Sequence, residues 1–455
     1  MFDLKIDGGL VASTNGEPRP QSIGITDGYI TALGDLREQT ATRTIDVDGA
    51  VVLPGLIDTH VHLGFTDQDL EWQTETRMAA IGGITTPLIY FRNTGSYWDH
   101  LPGFLEQGSS HSYVDFGVHL GVLNDAHLDD LDKLIDHFGV RSIKMYTTYK
   151  DGSLSRFGVV GQDDGFILDV MRTAAARGDF VVNIHCENDD IVTRGQKFWG
   201  KDIADPAAQW AAMRPAIAEV EAIHRIGLFA RETGARVHLP HVSSRRAIEA
   251  AVSQRRQGAQ ISIESCPQYL MPRSSAESGA LIKVNPPVRP DETGEELWAA
   301  FRSGELDTLG TDHACWCRAD KSASRIEDVS PGFPGLGTLL PLMMDSVARG
   351  LITTADLVRV NARAAKVFDL PDHGQVLPGF RADLAIVDPT SRREVTAELT
   401  GGLSDFSPWE GRTLTGWPFM TVLRGTVVAQ DGEVTGEPLG RYVRSLYGQG
   451  TWTAP

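Results

Sequence analysis

Basic charge is in short supply: 42 lysines and arginines stand against 60 aspartates and glutamates, a formal net charge of −18. The two signs are interspersed rather than blocked, so no basic stripe is available to track a phosphate backbone, and nucleic acid is not an expected partner. Cysteine is scarcer still. Cys186, Cys266, Cys315 and Cys317 are the four present, too few for a disulfide framework in 455 residues. No apolar run approaches the roughly 20 residues a membrane helix requires, so no membrane association is expected. The opening Met1-Phe2-Asp3-Leu4-Lys5-Ile6-Asp7 lacks a basic stretch followed by an apolar core and reads as no signal peptide. A reducing cytoplasm is the expected location. No G-x-G-x-x-G turn follows a strand, which argues against an open dinucleotide-binding sheet. Internal repeats and low-complexity segments are missing as well.

What is there has the composition of a globular protein, with 41% hydrophobic and 22% charged residues. The length suits a large barrel with a smaller companion. Eight short runs rich in Val, Ile, Leu or Tyr read as buried parallel strands, at 55–62, 84–91, 115–122, 142–147, 179–186, 236–242, 260–266 and 307–312. Helical patterns separate most of them, among them 163–177, 214–233 and 244–257, the last with Ser243 as its expected N-cap. Alternating strands and helices in that number predict a (β/α)8 TIM barrel over 54–373. Residues 1–53 and 374–455 instead show short strands split by turns such as Asp48-Gly49 and Asp431-Gly432. They predict a small β-sandwich domain assembled from both termini. The segments 270–291 and 315–334 read as long loops, which in compact domains usually serve function.

Chemistry gathers at the strand ends. His60 and His62 sit two apart at the end of the first barrel strand, and a period of two sends both imidazoles to one face. Alone, that pair is a weak signal. Lys144 lies within strand four, His185 and His241 end strands five and six, and Asp312 ends strand eight. Catalytic groups in this architecture come from the carboxyl ends of different strands, and imidazoles with a carboxylate suit zinc or a similar ion. Each residue also has a plainer reading: a strand-end histidine bonded to backbone, a buried lysine paired with a carboxylate, an aspartate capping a loop. His238 takes that plainer reading and is expected outside the site.

The run Pro54-Gly55-Leu56-Ile57-Asp58-Thr59-His60-Val61-His62-Leu63 resembles the entry motif of the amidohydrolase superfamily, in its cyclic amidohydrolase branch. So do Ile184-His185-Cys186-Glu187-Asn188, His241-Val242-Ser243-Ser244, Glu264-Ser265-Cys266-Pro267-Gln268-Tyr269-Leu270 and Gly310-Thr311-Asp312-His313, in the family's order. Ser407-Pro408-Trp409-Glu410-Gly411-Arg412 and Gly416-Trp417-Pro418 are similar to its closing segment. The resemblance implies a metal-dependent hydrolase that opens cyclic amides, imides or ureides by attack of a metal-bridging hydroxide. It implies two divalent ions, zinc or else manganese. His60, His62 and Asp312 would hold one, His185 and His241 the other, with Lys144 as a carbamate bridging them. Asp312 would also move the proton. Tyr149, five residues after Lys144, stands where hydantoinases and dihydropyrimidinases place an oxyanion donor, with Tyr146 as the expected packing residue. Asn285, in Val284-Asn285-Pro286-Pro287, falls in the segment that contacts the substrate.

Some positions depart from the hydantoinase pattern. Asn285 stands where hydantoinases carry serine, and no ring-holding asparagine occurs around Pro331-Gly332-Phe333-Pro334-Gly335, a segment closer to dihydroorotases and allantoinases. Gly64 replaces the arginine with which dihydroorotases bind a ring carboxylate, leaving Arg92 and Asn93 as partial substitutes. Neutral rings are therefore expected to be favoured over dihydroorotate. Hydantoinase or dihydropyrimidinase activity leads, and allantoinase or dihydroorotase activity is the alternative. A mononuclear deaminase would not need Lys144, and a non-catalytic hydantoinase-like scaffold would not keep the full ligand set. Cys315-Trp316-Cys317 offers two thiols, too few for a closed zinc site. Family resemblance also implies a homo-oligomer, a dimer or tetramer.

Overall fold

A strand buried on both faces needs apolar or small residues at almost every position, and this condition selects the barrel. The protein, a computed structural model, is described at residues 1–65, 68–140, 142–152, 154–155, 159–178, 180–271, 279–289 and 294–444. It opens with β1 (Phe2–Val11), β2 (Arg19–Thr26), β3 (Tyr29–Gly34), β4 (Ala41–Asp46) and β5 (Val51–Pro54). Then come β6 (Leu56–Val61), β7 (Ile84–Phe91), β8 (Gly117–Gly121), β9 (Ser142–Tyr146), β10 (Val181–His185), β11 (Arg236–Leu239), β12 (Ile261–Ser265) and β13 (Thr308–Leu309). Every residue of β6 to β10 is buried. These eight strands pair in sequence order, and each described pairing is parallel. The ends meet where Val61 bridges His313 and the His62 amide donates to the His313 carbonyl at 2.9 Å. This is the expected (β/α)8 barrel.

The helices between strands bury one face each against the barrel. Asp164–Arg177 starts at Asp163, whose carboxylate accepts from the Phe166 amide at 2.9 Å, and stops at Gly178 in a left-handed conformation. Two helical expectations need correction. The 214–233 pattern begins two residues later, as Ala216–Thr233 with Pro215 at its N-cap, where a missing amide costs no helical hydrogen bond, and a separate helix, Pro206–Met213, precedes it. The N-cap of Arg245–Arg256 is Ser244, which accepts from the Ala247 amide at 3.2 Å. Ser243 is instead committed to Glu219 and Arg289. In the expected loop 270–291, positions 272–278 and 290–291 lie outside the described residues; Gly279–Ile282 forms a short 3-10 turn.

The chain closes with β14 (Leu384–Glu394), β15 (Thr413–Leu423), β16 (Thr426–Gln430) and β17 (Glu433–Val434). With β1 to β5 they form a second, nine-stranded sheet in the order β17-β16-β15-β14-β5-β1-β2-β3, with β4 beside β1. The antiparallel pairing of β5 with β14 joins the two ends of the sequence. Asp27-Gly28 and Asp431-Gly432 turn its hairpins with positive φ at both residues, the conformation that matches strand twist. Ile6, Ile23 and Ile30 share a core with Leu384, Ile386 and Val422, so strands from both termini enclose one apolar interior, the β-sandwich domain. Among the described residues no helix is long and apolar enough to cross a membrane.

Candidate active site

His60, His62, Lys144, Tyr149, His185, His241, Asn285 and Asp312, chosen from motif and register, all line a single cleft at the carboxyl ends of the barrel strands. His60 and His62 bring their Nε2 atoms to 3.2 Å, and Asp312 Oδ1 lies 3.3 and 3.1 Å from them. Opposite, His185 Nδ1 faces His241 Nε2 at 3.1 Å. The two groups adjoin, with the His60 and His241 ring centroids 4.9 Å apart. The Lys144 ammonium lies 4.5 Å from the Tyr90 ring centroid, buried and without a hydrogen-bond partner. His241 and Asp312 lie beyond their strands rather than ending them. Each sits in the left-handed region, at φ 43° and 54°, and Tyr149 does the same at 70°. Such backbone costs free energy in non-glycine residues and persists where surrounding structure enforces it.

Burial governs the protonation states. It pushes His60, His62 and His241 well below the ordinary imidazole range, assisted by nearby positive charge, and His185 down to about 4. The imidazoles are therefore neutral, with nitrogen lone pairs available to a cation. Burial lowers the Lys144 ammonium although Asp312 opposes it, and raises the Asp312 acid although Lys144 opposes that. Ligand atoms of His60, His62 and Asp312 all lie within 4.8 Å of one another, a set able to hold a metal ion.

Two carboxylates within the family-like motifs, Glu264 and Glu187, orient these rings, a role that the motifs alone do not assign. Glu264 accepts from His60 Nδ1 and from the His241 amide, each at 3.0 Å, and also meets the Thr59 hydroxyl. Burial raises its acid, but hydrogen bonding and charge from His238 and the Thr59 hydroxyl bring it below the usual range. His238 is outside the cleft lining, as expected, and serves as this carboxylate's partner at 3.3 Å. Glu187 meets His185 Nε2 at 2.8 Å and carries the buried Arg214 on its other side. Period two was the available signal, since Glu187 follows His185 by two residues and Glu264 lies in β12 at its carboxyl end. Such partners fix ring orientation.

Tyr149 is buried, its ring 5.2 Å from that of His185 and 5.5 Å from the Arg214 guanidinium carbon. Burial raises its phenol further, so the hydroxyl keeps its proton. The Asn285 amide oxygen accepts from Trp210 Nε1 at 3.0 Å. Tyr146, expected to pack, lines the cleft as well. Phe65 and Trp316 stack at 4.8 Å in its wall, with Pro331 and Gly332 beside them. Cys315 is buried, and Cys317 meets the Leu403 carbonyl.

A model of the amidohydrolase family matches residues 51–428. The chain is 33% identical to an L-hydantoinase of Paenarthrobacter aurescens, covering 97% of this chain and 98% of the other. It is 32% identical to an allantoinase of Deinococcus radiodurans, covering 97% and 99%. Its fold superposes on the L-hydantoinase (dihydropyrimidinase) structure from Arthrobacter aurescens with a TM-score of 0.90, at 31% identity and 98% and 100% coverage. With a closed parallel barrel, a two-ended β domain and a histidine–aspartate cluster at the strand ends, the chain belongs to the amidohydrolase family, in its cyclic amidohydrolase branch.

Proposed function

We propose that the protein hydrolyses a cyclic amide, imide or ureide ring, with hydantoins and dihydropyrimidines as the leading substrates. The family implies a divalent metal, and the donor set fits one. On this reading His60, His62 and Asp312 would hold one ion and His185 and His241 a second, zinc or manganese, with Lys144, as a carbamate, the ligand that both would share. Its buried, unpartnered nitrogen supports that role, because a neutral amine is the form that takes up carbon dioxide. When bound, such ions acidify water and polarise a carbonyl.

The chain's own residues do the rest. Asp312 accepts a proton from the attacking water and returns it to the leaving ring nitrogen. The Tyr149 hydroxyl donates to the carbonyl oxygen as charge builds there, an interaction strongest in the transition state. Asn285, oriented by Trp210, contacts the ring, and Phe65, Trp316, Leu154 and Val159 exclude water. One observation carries the reading: eight residues separated by up to 252 positions converge on one cleft. Allantoinase or dihydroorotase activity is a second reading, favoured by Pro331 and Gly332 lining the cleft in a segment without the asparagine.

A turnover screen over cyclic amides with zinc- or manganese-loaded protein tests the activity. Elemental analysis should find two ions per chain and native mass a carbamate. Lys144→Ala should lose metal and activity, with partial rescue by short carboxylic acids; full activity in metal-free Lys144→Ala overturns the mechanism. Assembly into a dimer or tetramer, and division into 1–53, 54–373 and 374–455, belong to the same proposal, open to sedimentation and limited proteolysis.

A further inference from the structure

The cleft holds a charge that the hydrolytic scheme leaves without a task. Arg92 is the first residue past β7, and its side chain lines the same cavity as the imidazoles. Its Nη1 lies 2.9 Å from His62 Nδ1, and its guanidinium carbon stands 4.9 Å from the Phe65 ring centroid. Its Nε is buried with no hydrogen-bond partner. Among the described residues no carboxylate lies within 4.0 Å of the guanidinium. Arg92 is half-buried, whereas the buried arginines near the site are compensated, Arg214 by Glu187 and Arg289 by Glu219.

The charge inventory of the cleft sharpens the point. Asp312 is the one carboxylate among its lining residues and Arg92 the one arginine, since Lys144 is spent as the neutral amine of the hydrolytic reading. That carboxylate is already engaged with His60 and His62. A guanidinium held against an aromatic wall without a carboxylate partner keeps its charge for an incoming anion. Its imidazole acceptor is conditional too. His62 accepts at Nδ1 only while Nε2 carries the ring proton, and Nε2 is the atom turned toward His60 and Asp312. If Nε2 is given to a cation, Nδ1 becomes the N–H side and the guanidinium faces a donor. Beside the Tyr146 hydroxyl that it also faces, the guanidinium then has donors open to an acceptor on the ligand.

The neighbouring positions cannot take this part. Gly64 has φ 87° and no side chain. Asn93 turns its Oδ1 to the Gly95 amide at 2.8 Å and is not in the lining.

We propose that Arg92 determines specificity, binding a carboxylate or similar anionic substituent carried by the ring. This rests on the hydrolytic reading and reverses the preference for neutral rings expected from Gly64. The planar fork accepts a carboxylate through paired N–H donors, while Phe65 and Trp316 receive the apolar part of the ring.

The test uses the metal-loaded protein and ring pairs that differ only in a methyl against a carboxymethyl or carboxylate substituent. Wild type should favour the acidic ring in kcat/KM, chiefly through KM. Arg92→Gln should lower the acidic-to-neutral ratio about 10- to 100-fold, the range expected for hydrogen bonds to a charged group. Arg92→Lys should restore part of it. Calorimetric binding of the ring-opened dicarboxylate provides a readout independent of turnover: Arg92→Gln should weaken it at least tenfold with metal content unchanged. Equal ratios in wild type and Arg92→Gln, or equal binding of the dicarboxylate, overturn the proposal. If neither protein opens any ring, the hydrolytic reading fails and the binding comparison alone decides the role of Arg92.

Discussion

Asp312 combines three constraints in one side chain. Its carboxylate sits 3.1 and 3.3 Å from two imidazoles, burial raises its acid, and its backbone is left-handed at φ 54°. Asparagine tolerates that backbone as well as aspartate does, so Asp312→Asn removes proton transfer without adding strain. The variant should keep most of its metal by elemental analysis and lose turnover by about 10²–10⁴, the usual contribution of general acid–base catalysis. A loss under tenfold would reassign the proton carrier. His313, the adjacent candidate, already lies 3.1 Å from Glu75 and accepts from the Gly335 amide, outside the cleft lining. The identity of Asp312 as a site residue was readable from Gly310-Thr311-Asp312-His313. Its backbone conformation was not, because left-handed φ at an aspartate is imposed by the turn that carries the chain out of β13.

At the scale of elements, two buried lysines pin the segment that delivers Pro331 and Gly332 to the cleft. Lys283 Nζ donates to the Glu327 and Val329 carbonyls at 3.0 and 2.6 Å, and Lys321 Nζ to those of Lys283 and Ser330 at 2.9 and 2.8 Å. Burial, with help from Arg214, pushes Lys283 down to about 7. In the unfolded chain a lysine keeps its proton to about 10.4. Between these limits the unfolded state binds more protons, so this residue makes stability rise with pH from about 7 to about 10. Lys283→Met should flatten that rise, seen as wild-type and variant melting temperatures that diverge between pH 7 and pH 10. Parallel curves would contradict the assignment. Sequence marked 315–334 as a loop of functional length, whereas its lysine staples depend on carbonyls up to 46 residues away and follow no local pattern.

Across the whole molecule, Asp115 ties barrel to terminal sheet. Its carboxylate meets Arg424, lies 2.7 Å from Arg381, and accepts from the Arg441 amide at 2.9 Å. Removing a buried partner leaves uncompensated charge, typically about 3–5 kcal/mol. Asp115→Asn should lower the melting temperature or split one calorimetric transition into two, while the metal content of folded protein stays intact. An unchanged melt would show that the sheet is held by its apolar contacts alone.

The sequence by itself determined the barrel, its strand boundaries to within a few residues, and the ligand candidates. Those properties rest on local rules: burial on both faces requires unbroken apolar runs, and period two assigns a strand-end side chain to the interior. The orienting carboxylates Glu264 and Glu187 were within reach of the same rule. Tertiary structure decided what those rules do not carry. It placed Arg92 rather than Asn93 in the cleft, gave Glu187 to both His185 and Arg214, and set Trp210 against Asn285. Each of these depends on which distant segment packs against a side chain, and that is settled only when barrel closure brings the strand ends together.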